Sequence, residues 1–143
     1  MKTKELIRQV LDKWGFPLVQ ENDNSLVFRY QMNYIQANIS GGEDSNAVAL
    51  TLSGIFSADD EKEMFLGLRT CNDLNHNLLQ VKLYIDSESD LIIASEFFYK
   101  SADDMEYLLN VSLRSVVVAK KCFIQKYNEL EAEAKLMSEL EQE

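Results

Sequence analysis

Residues that could act as a nucleophile or a general base are few in this sequence and lie apart from one another. His76 is the only histidine in the chain, and histidine is the side chain whose ordinary pKa lies closest to neutral pH. Cys122 follows Lys120 and Lys121, whose charges would favour its thiolate, but its apolar neighbours indicate a buried, inert thiol. The other cysteine, Cys71, lies on an apolar helical stripe. Because no spacing joins these residues into a catalytic group, we predict no catalytic residues and a protein that is not an enzyme.

Two acidic stretches resemble cation ligands at first sight. A calcium-binding EF-hand loop requires Gly at its sixth position and Glu at its twelfth. In the stretch that starts at Asp86, those positions hold Leu91 and Phe97, so the match fails. The run Asp59–Glu63 is better explained as negative charge at the N-terminal end of a helix, where the helix dipole is positive. We therefore predict neither a metal ion nor any other cofactor.

The charge of the chain limits its partners. The 143 residues include 14 Lys and Arg against 24 Asp and Glu, which gives a formal net charge of −10. Nucleic acids and anionic membranes are negatively charged and therefore repel such a protein. Proteins that bind them carry basic surfaces. The apolar runs are far shorter than the roughly 20 residues that span a bilayer, and the opening segment MKTKELIRQV lacks the apolar core of a signal peptide. We expect a cytoplasmic protein that binds neither nucleic acid nor membrane.

Hydrophobic periodicity predicts an α+β fold in a single domain over residues 1–143. The predicted order is αβββαββα, an antiparallel β-sheet flanked by helices with a long C-terminal helix. The second helix is predicted to start at Ser57. The last helix starts after Ser101, which with Asp104 resembles a capping box, and its acidic end, about residues 129–143, is predicted to project or fray. The first helix is predicted to cover Lys2–Trp14. The predicted strands are Ser25–Gln31, Tyr34–Ser40, Ala47–Phe56, Leu79–Ile85 and Leu91–Tyr99. The predicted buried stripe of the second helix comprises Met64, Phe65, Leu68, Cys71 and Leu74.

Three segments carry a resemblance to a known family. They are the opening helix that ends in Trp14-Gly15, the strand pair from Ser25 to Ser40, and the block from Cys71-Asn72-Asp73-Leu74-Asn75 through the hairpin VKLYIDSESDLIIASEFFY to a helix that starts after Ser101. Over roughly residues 3–125 the chain resembles the YbjN-type family, labelled as bacterial sensory transduction regulators, within the type III secretion chaperone-like fold. The resemblance implies an antiparallel sheet flanked by helices, frequent homodimers and binding of other polypeptides. It implies no cofactor and no catalytic residues.

Aromatic side chains on the predicted strands form the first candidate partner-binding surface. Tyr34 and Tyr84 alternate with the clearest apolar rows of their strands, so we expect them on the opposite, polar face of the sheet. Phe98 lies near the end of the last strand, where both faces carry apolar residues. Because tyrosine is favoured at protein interfaces, this face would suit an extended peptide. The alternative is structural, since Tyr and Phe are good strand formers and pack across neighbouring strands.

An apolar seam along the last helix forms the second candidate partner-binding surface. Its alternating steps of four and three residues are typical of a helix that packs along its length, with Lys120 as the one break. The first half is predicted to pack on the chain's own sheet and the second half to be left for another chain. The alternative is a charged, partly frayed helix held by local pairs such as Glu131 with Lys135. The candidate residues of the second half are Phe123, Tyr127, Leu130 and Met137.

Two functions from different classes follow from these features. The first is a non-enzymatic protein-interaction module, chaperone-like or regulatory, that binds a polypeptide partner and self-associates as a homodimer. The alternative is a small-molecule-binding or enzymatic domain that uses scattered carboxylates such as Glu96. The alternative requires those carboxylates to share a pocket, whereas the first function requires an exposed sheet face or an apolar groove.

Overall fold

The computed structural model describes residues 2–42 and 44–142 of the chain. Within these residues the chain forms three helices and six strands, and the α+β class, with its antiparallel sheet, flanking helices and long C-terminal helix, is confirmed. A short strand precedes those that the sequence predicts. The elements in chain order are α1 (Thr3–Trp14), β1 (Leu18–Asn22), β2 (Ser25–Tyr30), β3 (Asn33–Ser40), β4 (Ala47–Leu52), α2 (Glu61–Asn77), β5 (Lys82–Ile85), β6 (Leu91–Phe98) and α3 (Ala102–Glu141).

The strand that the sequence analysis missed, β1, lies at one edge of the sheet. It pairs with β2, and a register shift between Leu18 and Gln20 interrupts the pairing. Every side chain of β1 is exposed. An edge strand that buries neither face shows no alternation of apolar and polar residues, and that alternation is what marks a strand in a sequence.

The sheet is antiparallel throughout, with the strand order β1-β2-β3-β4-β6-β5. Alternate side chains of a strand point to the same face of the sheet. On one face of the sheet the side chains are buried. The strand pairings align these buried side chains into rows that run across the sheet. From β2 across the sheet to β5, one row comprises Phe28, Ile35, Leu52, Ile93 and Leu83, each at most 2% exposed.

The helices cover this buried face. α3 packs against β4 and β6, α2 packs against β5 and α3, and α1 packs against α3. Fully buried helix side chains such as Ile7, Met105 and Val116 belong to the same apolar core as the rows of the sheet. Burial of this apolar surface is the main source of stability for a fold of this kind.

α3 is the longest described element and extends past the sheet. Its 40 residues correspond to about 60 Å at a rise of 1.5 Å per residue. The predicted capping box is present, with the Asp104 carboxylate accepting a hydrogen bond from the Ser101 backbone N–H at 3.1 Å. Leu130 is the last buried residue, and the helix continues to Glu141 with mostly exposed side chains. Neither α3 nor any other helix in the described part of the chain has a stretch that is long and apolar enough to cross a membrane.

The second helix starts later than predicted. The prediction placed its start at Ser57, but α2 begins at Glu61 with Asp60 as its N-cap. The Asp60 carboxylate accepts a hydrogen bond from the Glu63 backbone N–H at 2.8 Å, which satisfies one of the free N–H groups of the first turn. Ser57 lies instead in a short bridge to Asp90.

The buried face of α2 also differs from the predicted stripe. Phe65 and Leu68, both predicted to be buried, are 64% and 51% exposed. Gly67 explains the difference, because a Cβ there would lie 2.8 Å from Ile85 Cδ1 and 3.0 Å from a ring carbon of Phe56. The missing side chain allows this side of α2 to approach its neighbours closely, and Phe65 then points outward. The buried residues of α2 are Leu66, Gly67, Thr70, Cys71 and Leu74.

The strand β5 is shorter than predicted. The prediction started it at Leu79, which is 89% exposed. Gln80 has a left-handed backbone with φ of 65°, and a residue in this conformation breaks an extended run. Pairing with β6 therefore starts at Lys82.

Candidate protein-interaction surface

The side chains that alternate with the buried rows form the face of the sheet opposite the helices, which we call the open face. Its rows also follow from the strand pairings, so that Asn38, Ala49 and Glu96 align in one row and Ala47 and Phe98 in the next. The open face comprises Val27, Arg29, Tyr34, Gln36, Asn38, Ala47, Ala49, Thr51, Lys82, Tyr84, Ile92, Ala94, Glu96 and Phe98.

Tyr34, Tyr84 and Phe98, from the predicted partner-binding set, lie exposed on the open face. Phe98 is 75% exposed, Tyr34 is 60% exposed and Tyr84 is 43% exposed. Tyr84 pairs with Ile92 of β6, and the pairings of β3, β4 and β6 place Tyr34 in the same row. β3 and β5 are three strand spacings apart, about 14 Å, and Phe98 lies about 20 Å along β6 from that row. The structure therefore brings the two tyrosines to one end of the open face and Phe98 to the other.

Small side chains lie in the centre of the open face, beside the exposed ion pair of Lys82 and Glu96. Ala47 and Ala49 lie on β4, in the middle of the sheet, and Ala94 of β6 is only 2% exposed. Thr51 Oγ1 accepts a hydrogen bond from Asn38 Nδ2 at 3.4 Å. A broad face of this kind, with exposed rings at its two ends, can accommodate a helix or an extended segment of another chain.

The two exposed tyrosines of the open face each have a cation beside them. The Arg29 guanidinium lies 5.8 Å from the centroid of the Tyr34 ring, and Lys82 Nζ lies 5.9 Å from the centroid of the Tyr84 ring. Lys82 also forms an ion pair with Glu96, and its hydrogen bond to Glu96 raises the pKa of Lys82. Cations and carboxylate are nearly balanced on the open face, although the whole chain has a net charge of −10.

The second predicted surface, the later half of the α3 seam, lies mostly inside the chain's own core. Phe123 and Leu130 are 2% exposed and Tyr127 is 8% exposed, and burial raises the pKa of Tyr127. The Phe56 ring packs against Phe123 and Tyr127, with centroid distances of 5.3 and 4.9 Å. The sequence analysis expected this half to be left for another chain, but the segment after β4 packs over α3 and Phe56 contacts Phe123 and Tyr127. Met137, at 58% exposure, stays on the surface.

The candidate catalytic residues of the sequence analysis are not assembled into a site. Cys71 is buried in the core, and burial raises the pKa of its thiol to about 11. Cys122 is half-buried on α3, and His76 is exposed in the last turn of α2. Asp86 closes its own hairpin turn, where its carboxylate accepts hydrogen bonds from two backbone N–H groups. Among the described residues, no three His, Cys, Asp or Glu side chains are grouped so as to hold a metal ion.

Asn75 has a role that the sequence analysis missed. Its side-chain amide donates to the Leu83 carbonyl oxygen at 2.9 Å and accepts from the Leu83 N–H at 2.8 Å. Leu83 belongs to β5, the strand at the other edge of the sheet, so the amide occupies backbone groups that would otherwise be open to another strand. The available signal was the asparagine-containing end of α2 that leads into the β5–β6 hairpin.

Comparison with solved structures identifies proteins of the same fold. The chain matches YbjN from E. coli with a TM-score of 0.64 and 12% identity, over 89% of this chain and 93% of that chain. It matches an uncharacterized protein from Methanothermobacter thermautotrophicus with a TM-score of 0.61 and 19% identity, over 88% of this chain and 96% of that chain. A chain of the HopA1–SchA chaperone–effector complex matches with a TM-score of 0.54 and 10% identity, over 82% of this chain and 92% of that chain. No protein-family model and no curated protein sequence matches.

These likenesses cover most of both chains in each comparison. Identities this low relate the folds and not the functions. The element order, the antiparallel sheet and the long last helix agree with the resemblance that the sequence indicates. The chain therefore has a YbjN-type, chaperone-like fold.

Proposed function

We propose that this chain is a non-enzymatic protein-interaction module that binds a polypeptide partner on its open face. The observation that carries the proposal is a sheet with helices on one side and the exposed rings of Tyr34, Tyr84 and Phe98 on the other. Exposed aromatic side chains on a broad surface are typical of protein-binding sites.

The dimensions and charge of the open face favour a polypeptide over a small ligand. The rings are separated by about 14 Å across the sheet and about 20 Å along it, so a small molecule cannot contact all of them. A helix or an extended segment that lies across the open face can reach rings at both of its ends. Because Arg29 and Lys82 offset the carboxylate of Glu96, the open face does not share the acidic excess of the chain.

The fold is consistent with a chaperone-like or regulatory role in the cytoplasm. One solved neighbour is a chain of a chaperone–effector complex, a complex between polypeptides. For our chain this supports recognition of a polypeptide.

The proposal includes self-association through the end of α3. Leu136, Met137 and Leu140 are each more than half exposed and lie within about one helical turn. Apolar side chains at this spacing on a helix pack against a second helix. A homodimer formed through this segment would leave the open face free for the partner.

Paired variants test the open face. Tyr34→Ala with Phe98→Ala removes two rings of the open face, whereas Phe65→Ala with Tyr107→Ala removes two exposed rings on the helices. The tagged chain and both double variants are compared by capture from host lysate with quantitative mass spectrometry. We expect the open-face variant to reduce capture of a stoichiometric partner at least tenfold, because interface aromatics often contribute about 2 kcal/mol or more. Equal losses in the two double variants, or no loss in either, would contradict the proposal.

No observation favours the alternative of an enzymatic or small-molecule site built from scattered carboxylates. Glu96 lies on the open face, where its carboxylate forms the ion pair with Lys82. The hydrogen bonds from Lys13 and Trp14 lower the pKa of Glu106. A general acid at neutral pH requires a raised pKa, so Glu106 is not suited to that role.

A further inference from the structure

A concavity lies on the helix side of the sheet, away from the open face. It has a volume of about 270 Å³ and lies between the C-terminal end of α1, the end of β2 and the first half of α3. This volume is near the lower limit for small-molecule sites in proteins. We call it the aromatic pocket, and its lining residues are Trp14, Phe16, Tyr30, Asn110, Leu113 and Arg114.

Three rings form the apolar wall of the aromatic pocket. Gly15 ends α1 with a left-handed backbone, φ 74°, and this turn brings Phe16 beside Trp14, with 5.6 Å between ring centroids. Phe16 also contacts Tyr30 at 5.1 Å and lies parallel to the buried ring of Phe28. Because the core holds Phe16 in place, the wall is preformed.

The nearby carboxylate of Glu106 is paired outside the pocket. One of its oxygens accepts a hydrogen bond from Trp14 Nε1 at 3.2 Å, and the other accepts from Lys13 Nζ at 2.8 Å. These hydrogen bonds lower the pKa of Glu106 and hold the indole, and the Lys13 ammonium offsets the charge of the carboxylate. The carboxylate therefore does not oppose an anion in the pocket.

Arg114 supplies an unpaired positive charge at the rim of the aromatic pocket. Its side chain is exposed and forms no ion pair, hydrogen bond or ring contact with any residue that the structure describes. None of the described lining residues is acidic. Asn110 lies one helical turn before Arg114 and lines the same pocket, so its amide can donate beside the guanidinium. In a chain with a net charge of −10, this is a local site for one negative charge.

We propose that the aromatic pocket binds a small monocarboxylic acid with a flat aromatic body. The body packs among Trp14, Phe16 and Tyr30, and the carboxylate accepts hydrogen bonds from Arg114 and Asn110. A guanidinium suits this role because it can donate two parallel hydrogen bonds to one carboxylate. The pocket and the open face lie on opposite sides of the sheet. This proposal is therefore independent of the proposed protein-binding function, and disproof of one would leave the other unaffected.

Two ligands with the same body and different charge test the proposal, namely cinnamate and cinnamyl alcohol. Trp14 is the only tryptophan in the chain, so its indole N–H gives one NMR signal that reports on the pocket. The full chain is titrated with each ligand. We expect cinnamate to shift this signal saturably and to bind about tenfold more tightly than the alcohol, because hydrogen bonds between charged groups are stronger than neutral ones.

Two charge-removing variants complete the test. Arg114→Gln removes the proposed cation, and Lys121→Gln removes an equal charge from an exposed position of α3 outside the pocket. Arg114→Gln should weaken cinnamate binding about tenfold and leave the alcohol unchanged, whereas Lys121→Gln should change neither. Arg114 also borders a second concavity, lined in part by Leu79 and Val118, so cinnamate binding that leaves the Trp14 signal unmoved overturns the proposal. No saturable binding, or equal affinity for acid and alcohol, also overturns it.

Discussion

The two faces of the sheet are built from the same strands but differ in what the chain places over them. Consecutive residues of a strand point to opposite faces, and the last strand shows the contrast within one dipeptide. Phe97 is 7% exposed beneath the helices, whereas Phe98 is 75% exposed on the open face. The phenylalanine on the covered face therefore belongs to the core, and its neighbour on the open face belongs, in our proposal, to a binding surface. Within this dipeptide the type of side chain does not distinguish the two faces, whereas the helix layer does.

The largest expected effect comes from truncating these two neighbours separately. Phe97→Ala leaves a cavity beneath the helices and should lower the free energy of unfolding by about 3 kcal/mol. Phe98→Ala should change it by less than about 0.5 kcal/mol, because an exposed ring leaves no cavity. Chemical denaturation at low protein concentration measures both. A comparable loss in both variants would mean that the open face is covered in the free protein, and the contrast between the faces would fail.

The second prediction uses pH to examine the helix layer at Cys71. Burial raises the pKa of this thiol from 9.0 to about 11 in the folded chain, so the folded state retains a proton that the unfolded state has lost. The contribution to stability is fully present below pH 9 and is lost as the pH rises from 9 to 11. It amounts to about 2 kcal/mol. Denaturation of the wild type and of Cys71→Ala at pH 9 and at pH 11 isolates the contribution of the thiol, since other titrating groups contribute equally to both proteins. An unchanged pH dependence in the variant would show that the thiol is accessible to water.

A third prediction concerns the bridge between the helix layer and the edge of the sheet. Asn75→Ala removes both hydrogen bonds to the Leu83 backbone and should cost about 1–2 kcal/mol. It should also speed amide hydrogen exchange at Leu83. Asn72→Ala, at an exposed position of the same helix, is the matched control and should change neither quantity. Unaltered exchange at Leu83 in the Asn75 variant would show that the edge is protected in another way.

The smallest expected effect is at the close approach of α2. Gly67→Ala gains helix propensity but places a Cβ against Ile85 and Phe56, and overpacking outweighs the gain, for a net loss of about 1 kcal/mol. Adding Ile85→Val removes the Cδ1 atom that lies 2.8 Å from the new Cβ and should recover part of the loss. If the double variant is less stable than the sum of the single ones predicts, the close approach does not set the orientation of α2.

Local patterns were sufficient to predict much of the fold and part of the candidate surface. The capping box at Ser101 and Asp104 was predicted from two residues three positions apart, because a cap is a contact within one turn. Alternation placed Tyr34 and Tyr84 on the face opposite the buried rows, because the side-chain period of a strand is fixed by its geometry.

Features that depend on contacts distant in sequence were not predictable in this way. The outward orientation of Phe65 follows from the approach of Gly67 to Ile85, and the burial of Tyr127 follows from its contact with Phe56. Neither contact produces a periodic pattern of residue types in the sequence. The aromatic pocket was missed for the same reason, since α1, β2 and α3 each contribute part of its lining.

The position of α3 in the chain has a consequence for how the protein is made. Every strand of the sheet precedes α3 in synthesis, yet α3 is the helix that covers β4 and β6. The stretch from Ala102 to Leu130 takes roughly 1.5 to 6 seconds to synthesise at about 5–20 residues per second. During that interval the nascent sheet exposes apolar rows on one face and aromatic rings on the other. Folding of the nascent chain is therefore completed late, and the interval before α3 emerges from the ribosome is when the chain is most exposed to misassembly.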